Sequence, residues 1–106
     1  MSPYALALAL TLAVEVPIVA LLFPRQRLRM AFVCAAATVA THLSMHFALP
    51  RVLGSWGAAV LWGELGALTV EAAAYAIASR PRDPARALVT SALANLTSYA
   101  AGLAVF

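Results

Sequence analysis

Four apolar runs constrain this chain more than any other feature: Tyr4–Phe23, Met30–Leu49, Trp56–Ala78 and Ala87–Phe106. Each is close to the ~20 residues an α-helix needs to cross roughly 30 Å of hydrocarbon. The 26 alanines suit helix packing far better than sheet. Pro24, Pro50, Pro81 and Pro84 all fall in the connections, where a missing N–H costs least. Those connections are too short for anything but antiparallel neighbours. The predicted fold is therefore all-α and integral to a membrane: a four-transmembrane-helix antiparallel bundle, one domain over residues 1–106. Only 10% of residues are charged, against roughly 25% in soluble domains. The lipid bilayer is thus the first expected partner, and close helix contact replaces a water-excluded core.

Orientation follows from the arginines. Arg25, Arg27 and Arg29 lie in the first connection and Arg80, Arg82 and Arg86 in the third, against Arg51 alone in the second. Six against one predicts that the first and third connections are cytoplasmic. Both termini are then exterior or periplasmic, in a bacterial cytoplasmic (inner) membrane. The pI near 9.8 is explained by these flanking arginines, so no nucleic-acid partner is expected. The first span lacks a basic leading segment and is followed by a basic stop, unlike a cleavable signal peptide. Cys34, the one cysteine, cannot form an internal disulfide and reads as a small buried side chain.

Three of the four acidic residues (Glu15, Glu64 and Glu71) fall within spans, as do both histidines, His42 and His46. A charge at a helix centre costs about 2.5–3.5 kcal/mol on insertion scales. Three unpaired carboxylates would cost on the order of 8–10 kcal/mol, comparable to the whole stability of a domain. Such groups face the bundle interior and share protons or a cation. At about 1.5 Å per residue from the outer span ends, Glu15 and Asn95 lie roughly 16 Å deep. On the same count Glu64, His42 and Ser98 lie roughly 10–12 Å deep, Glu71 about 22 Å, and His46 near the outer surface. This predicts a polar ladder from His46 through His42 and Glu64 to Glu15 and Asn95, then Glu71.

The spacings place these groups on shared stripes. His42 and His46 are i,i+4 neighbours, with Thr38 and Thr41 close to their face. Glu64 and Glu71 are two turns apart, and Tyr75 continues their line, within i,i+4 bonding reach of Glu71. Ser91, Asn95, Ser98 and Gly102 form a small, polar stripe that permits close helix approach; Gly63 and Gly66 do the same beside Glu64. Pro17 removes the bond to the Ala13 carbonyl and is expected to kink the first helix. That kink either opens an oxygen-lined notch beside Glu15 or serves packing alone. Trp56 and Trp62 read as an interfacial belt.

His-x-x-x-His on one helical face is a metal-ligand spacing, which makes His42 and His46, with Glu64 as oxygen partner, candidate ligands for a divalent transition metal. The Glu-x-x-His repeat of di-metal carboxylate bundles is absent. The opening Met1-Ser-Pro-Tyr4, the mid-span Glu15 and the length of 106 residues resemble the small multidrug resistance transporters over about the first 20 residues. That resemblance implies a four-helix dimer whose first-helix glutamate exchanges protons for a cationic drug. His42, His46, Glu64 and Glu71 have no counterpart in it.

The residues thus predict a membrane protein with a buried carboxylate–histidine site for a cation, proton or divalent metal, acting as a transporter or channel-like carrier. Glu15 is the central acid, His42 and Glu64 the outer part, Glu71 the inner step; Asn95 and Ser98 supply neutral ligands. Four helices make a thin wall, so a homo-oligomer or a membrane partner subunit is expected. Two alternatives use the same groups: an intramembrane enzyme acting on a lipid or isoprenoid, and a non-catalytic subunit of a larger membrane complex.

Overall fold

The computed structural model describes residues 2–48 and 54–105. Leu49, Pro50, Arg51 and Phe106, and with them the expected end of the second span and its lone arginine, lie outside the described residues, as does the Trp56 side chain.

Four helices follow the four runs: α1 (Pro3–Leu22), α2 (Arg27–Leu43), α3 (Trp56–Ala78) and α4 (Pro84–Val105). The corresponding helical stretches, Pro3–Leu22, Pro24–Phe47, Val60–Ala78 and Pro84–Val105, are each long and apolar enough to cross a membrane. Their starts are set by local chemistry. Ser2 Oγ accepts from the Ala5 N–H at 3.1 Å, with Pro3 in the first turn. Ser55 Oγ caps α3 through Ala58 N–H at 3.1 Å. Asp83 Oδ1 caps α4 through Arg86 N–H at 3.0 Å, and Pro84 begins the helix. These are the side chains and the proline placement that satisfy or dispense with orphan N–H groups. Because Asp83 and Pro84 start α4, it begins three residues earlier than hydropathy indicates. A single 3₁₀ turn, Pro24–Gln26, joins α1 to α2. Beyond Leu43, α2 widens into a π-helical turn, Ser44–Ala48.

The helices pack in a ring, consecutive helices against one another and α1 against α4. The principal extents are 41 × 26 × 19 Å, the long axis matching the roughly 40–45 Å of a whole bilayer. The outside is apolar: Leu21, Phe32, Ile77 and Leu96 are 62–72% exposed, and Trp62 also lies on the outer surface. The inside is mixed, with Glu15, Thr38, Glu71, Asn95 and Ser98 buried beside Val19, Met30, Tyr75 and Ala94. This inverts the soluble pattern and is the arrangement expected of helices surrounded by lipid.

The C-termini of α1 and α3 and the N-termini of α2 and α4 share one end. There the arginines do more than flank the spans. Arg29 Nε donates to the Ala78 carbonyl at 2.7 Å, and Arg86 Nη1 to the Leu22 carbonyl at 2.8 Å. The Arg80 N–H donates to Gln26 Oε1 at 2.6 Å. Each of these two guanidiniums therefore caps the negative end of the helix beside its own, where cations are favoured, tying α2 to α3 and α4 to α1.

Pro17 lies within α1, which continues through it. Ala13 and Pro17 are exposed, whereas Glu15, about 200° around at 100° per residue, is buried. The carbonyl freed by Pro17 and the Glu15 carboxyl therefore face different sides of the helix and do not share the notch that sequence spacing allows.

Candidate functional site

The interior of the bundle holds a cluster to which all four helices contribute. On α2, Met30, Cys34 and Thr38 recur every four residues and are buried, so one stripe faces the bundle axis. Thr38 Oγ1 lies 3.1 Å from Glu15 Oε1 of α1 and 3.3 Å from Glu71 Oε1 of α3. A hydroxyl has one hydrogen, so Thr38 donates to one of these carboxyls at a time. The Tyr75 hydroxyl donates to Glu71 Oε1 at 3.1 Å, forming the i,i+4 bond that the spacing allows. From α4, the Ser98 hydroxyl donates to Glu15 Oε2 at 2.6 Å. Its oxygen is also 3.1 Å from the Asn95 carbonyl. Asn95 is held by its Nδ2, which donates to the Ser91 carbonyl at 2.8 Å. Ser91 Oγ in turn donates to the Leu68 carbonyl across the α3–α4 contact at 2.7 Å.

Glu15 and Glu71 are each 1% exposed. The polar stripe of α4 supplies the close approach they need: Ser91, Asn95 and Ser98 are buried, together with Ala87, Thr90 and Ala94. Cys34 Sγ lies 3.8 Å from Thr38 Oγ1. A carboxylate oxygen from each of Glu15 and Glu71 and the Cys34 sulfur lie within 4.8 Å of one another, close enough to hold one metal ion. His42, His46 and Glu64 form no such group among the described residues.

A cavity of about 310 Å³ runs from this cluster away from the arginine end. Glu15, Thr38 and Glu71 line its inner part, His42, Glu64, Asn95 and Ser98 its walls, and Ala7, Gly102 and the exposed Leu103 its outer part. Toward the arginine end the interior is filled by Val19, Phe23, Met30, Tyr75 and Ala87, all 0–3% exposed. A second, lateral cavity of about 560 Å³ between α3 and α4 shares Glu64, Asn95 and Tyr99 with the first.

Six residues singled out in the sequence (Glu15, His42, Glu64, Glu71, Asn95 and Ser98) thus line one cavity. Their arrangement is more compact than the ladder drawn from helical rise. Counting from span ends treats those ends as level. In the bundle, side-chain reach brings Glu71 to the same threonine as Glu15, and Ser98 down to the Glu15 carboxyl. The two histidines do share a face, and it meets α1: the Tyr4 ring lies 5.3 Å from the His42 ring and 4.3 Å from the His46 ring. His46 also stacks edge-on with Phe47 at 4.7 Å. His42 Nδ1 and the Tyr4 hydroxyl are buried without a hydrogen-bond partner among the described residues.

Sequence reasoning missed Thr38 as the junction and Cys34 as a member of the cluster. The signal was present in the four-residue recurrence Met30, Cys34, Thr38, His42, which puts the cysteine on the histidine's face. Searches of the chain against protein-family models, curated proteins and solved structures find no match.

Proposed function

We propose that the protein is a membrane carrier for a cation, proton or divalent metal, which exchanges at the Glu15–Glu71 pair. One observation carries this reading: two buried carboxyls from different helices meet on a single threonine hydroxyl at the inner end of a cavity whose far side is packed shut. Two carboxylates at hydrogen-bond distance from one hydroxyl repel strongly in a medium of low dielectric constant. Every arginine among the described residues sits at or beyond a helix end, so the pair is balanced by a proton or by a cation arriving through the cavity. His42 and Glu64 are the groups such a cation passes, Ser98 is the neutral donor that positions Glu15, and Asn95 offers a further neutral group on the cavity wall.

The six-to-one arginine split supports an orientation with the sealed end cytoplasmic. The cavity then opens to the exterior or periplasm, in the inner membrane of a bacterium. Reporter fusions should read exterior after Phe106 and cytoplasmic within the Arg80–Arg86 connection; a cytoplasmic reading at Phe106 reverses the direction of access. The thin four-helix wall supports assembly as a homo-oligomer or with a partner subunit.

The carrier reading is tested by reconstituting the protein in liposomes with a pH-sensitive dye inside and imposing a gradient of candidate cations. The expected result is proton movement opposite to cation movement, above that of protein-free liposomes. Absence of coupled movement for monovalent and divalent cations alike would discard it. The lateral cavity between α3 and α4 favours one alternative, an intramembrane enzyme admitting a lipid or isoprenoid from the bilayer toward Glu64 and Asn95. It predicts chemical turnover of such a lipid without ion flux.

A further inference from the structure

We infer that Glu15, Glu71 and Cys34 form a three-ligand site for a borderline-soft divalent cation of the zinc type. This rests on the carrier reading above and names the class of cation the carrier takes. The ligands come from three different helices, and all three are buried, Cys34 completely. Their donor atoms lie within 4.8 Å of one another. With metal–oxygen bonds of about 2.0–2.2 Å and a metal–sulfur bond of about 2.3 Å, tetrahedral ligands stand roughly 3.4–3.6 Å apart. Closing the difference takes a shift of about 1 Å, within reach of side-chain rotation.

The interior of the cluster brings all three groups onto one atom. One hydroxyl, Thr38 Oγ1, touches all three groups, at 3.1 Å, 3.3 Å and 3.8 Å. It holds a single hydrogen and carries no charge. A divalent ion beside that hydroxyl, among the three donor atoms, satisfies both carboxylates and the sulfur at once, and Thr38 Oγ1 is placed to become a neutral fourth ligand. Tyr75 and Ser98, bonded to Glu71 and Glu15, then serve as the outer partners that orient the ligating carboxylates.

The mixed donor set decides the class. Carboxylates alone suit magnesium, calcium or manganese, whereas a thiolate selects zinc and softer ions. On coordination the Cys34 thiol gives up its proton to the cavity, because the thiolate is the ligand, and the proton that balances the Glu15–Glu71 pair in the ion-free state leaves by the same route. The two negative carboxylates and one thiolate then face a divalent ion, and no electron is transferred.

The experiment titrates cobalt(II) into the purified, detergent-solubilised protein. Cobalt occupies zinc-type sites and reports sulfur ligation by a near-ultraviolet charge-transfer band. The expected result is one equivalent of cobalt with that band, displaced by zinc or cadmium and unaffected by magnesium or calcium in large excess. Cys34→Ser should abolish the band and weaken zinc binding more than about tenfold, and Glu71→Gln should weaken it comparably. The inference is overturned by a wild type without the band, by zinc binding unchanged in Cys34→Ser, or by a site lost in His42→Ala and kept in Cys34→Ser. Should the cysteine variant fold poorly, zinc X-ray absorption on the wild type decides: a sulfur ligand supports the site and an all-oxygen or all-nitrogen shell removes it. Coupled proton flux in liposomes without any cobalt band would leave the carrier standing and dismiss this site alone.

Discussion

Glu15→Gln should leave the helices folded and reduce coupled proton movement in liposomes to the level of protein-free vesicles. The glutamine keeps the size of the side chain; its one oxygen can replace Glu15 Oε2 and accept from Ser98, and its amide then takes the Oε1 position and donates to Thr38 Oγ1. Its amide can also donate to Glu71, so it removes the like-charge conflict. Stability should therefore change by no more than about 1 kcal/mol in either direction. Glutamine cannot take up or release a proton or balance a cation, and exchange should stop. Glu15→Asp retains the acid but is one methylene shorter, which withdraws it from Thr38 and Ser98; slowed rather than abolished exchange is expected. The direct measurement is proton release from solubilised protein after a pH jump, for wild type and both variants. Equal release from wild type and Glu15→Gln would end the central role of Glu15 and move the site to Glu64 and Glu71.

The second large effect is expected at Tyr75. It is the largest fully buried side chain among the described residues, 0% exposed, and lies one turn from Glu71 on the sealed side of the cluster. Tyr75→Ala deletes a ring from the packing that closes the cavity, at a cost of about 3–5 kcal/mol by analogy with other aromatic truncations. More telling is the functional change: the cavity should break through toward the arginine end, and liposomes carrying the variant should leak protons without any coupled cation. Tyr75→Phe separates the two roles of this residue. It keeps the seal and loses the bond to Glu71 Oε1, so it should remain tight while exchanging at an altered rate. A tight Tyr75→Ala variant would mean that Val19, Phe23 and Met30 suffice as the barrier.

The carboxylates were legible in the sequence because an acid inside an apolar run is conspicuous by its cost alone. Asn95 and Ser98 were legible for a related reason, as polar members of a stripe of small residues. Thr38 and Cys34 were harder: each is an ordinary occupant of a membrane helix, and what distinguishes them is azimuth. Hydropathy gives little azimuth where a helix is apolar almost all round, as α1 is. Only the buried partners fix which face of α2 looks inward. Depth counted from span ends misleads for a second physical reason. A helical rise locates Cα atoms, whereas Glu15 and Glu71 meet through the reach of their side chains. The His42–His46 spacing puts both rings on the side of α2 that meets Tyr4, a partner that spacing alone does not name. The arginines announced topology; their bonds to the Ala78 and Leu22 carbonyls depend on which helix ends adjoin, which no linear count contains.

Those carbonyl bonds have a mechanical consequence. At the arginine end, α2 is tied to α3 and α4 to α1, while at the other end Tyr4 meets His42, His46 and Phe47 through ring packing. Among the described residues, the guanidinium ties between helices are thus gathered at one end, and a rod deflects least near its support. The seal around Tyr75, one turn from Ala78, is the part of the interior that these ties brace most directly.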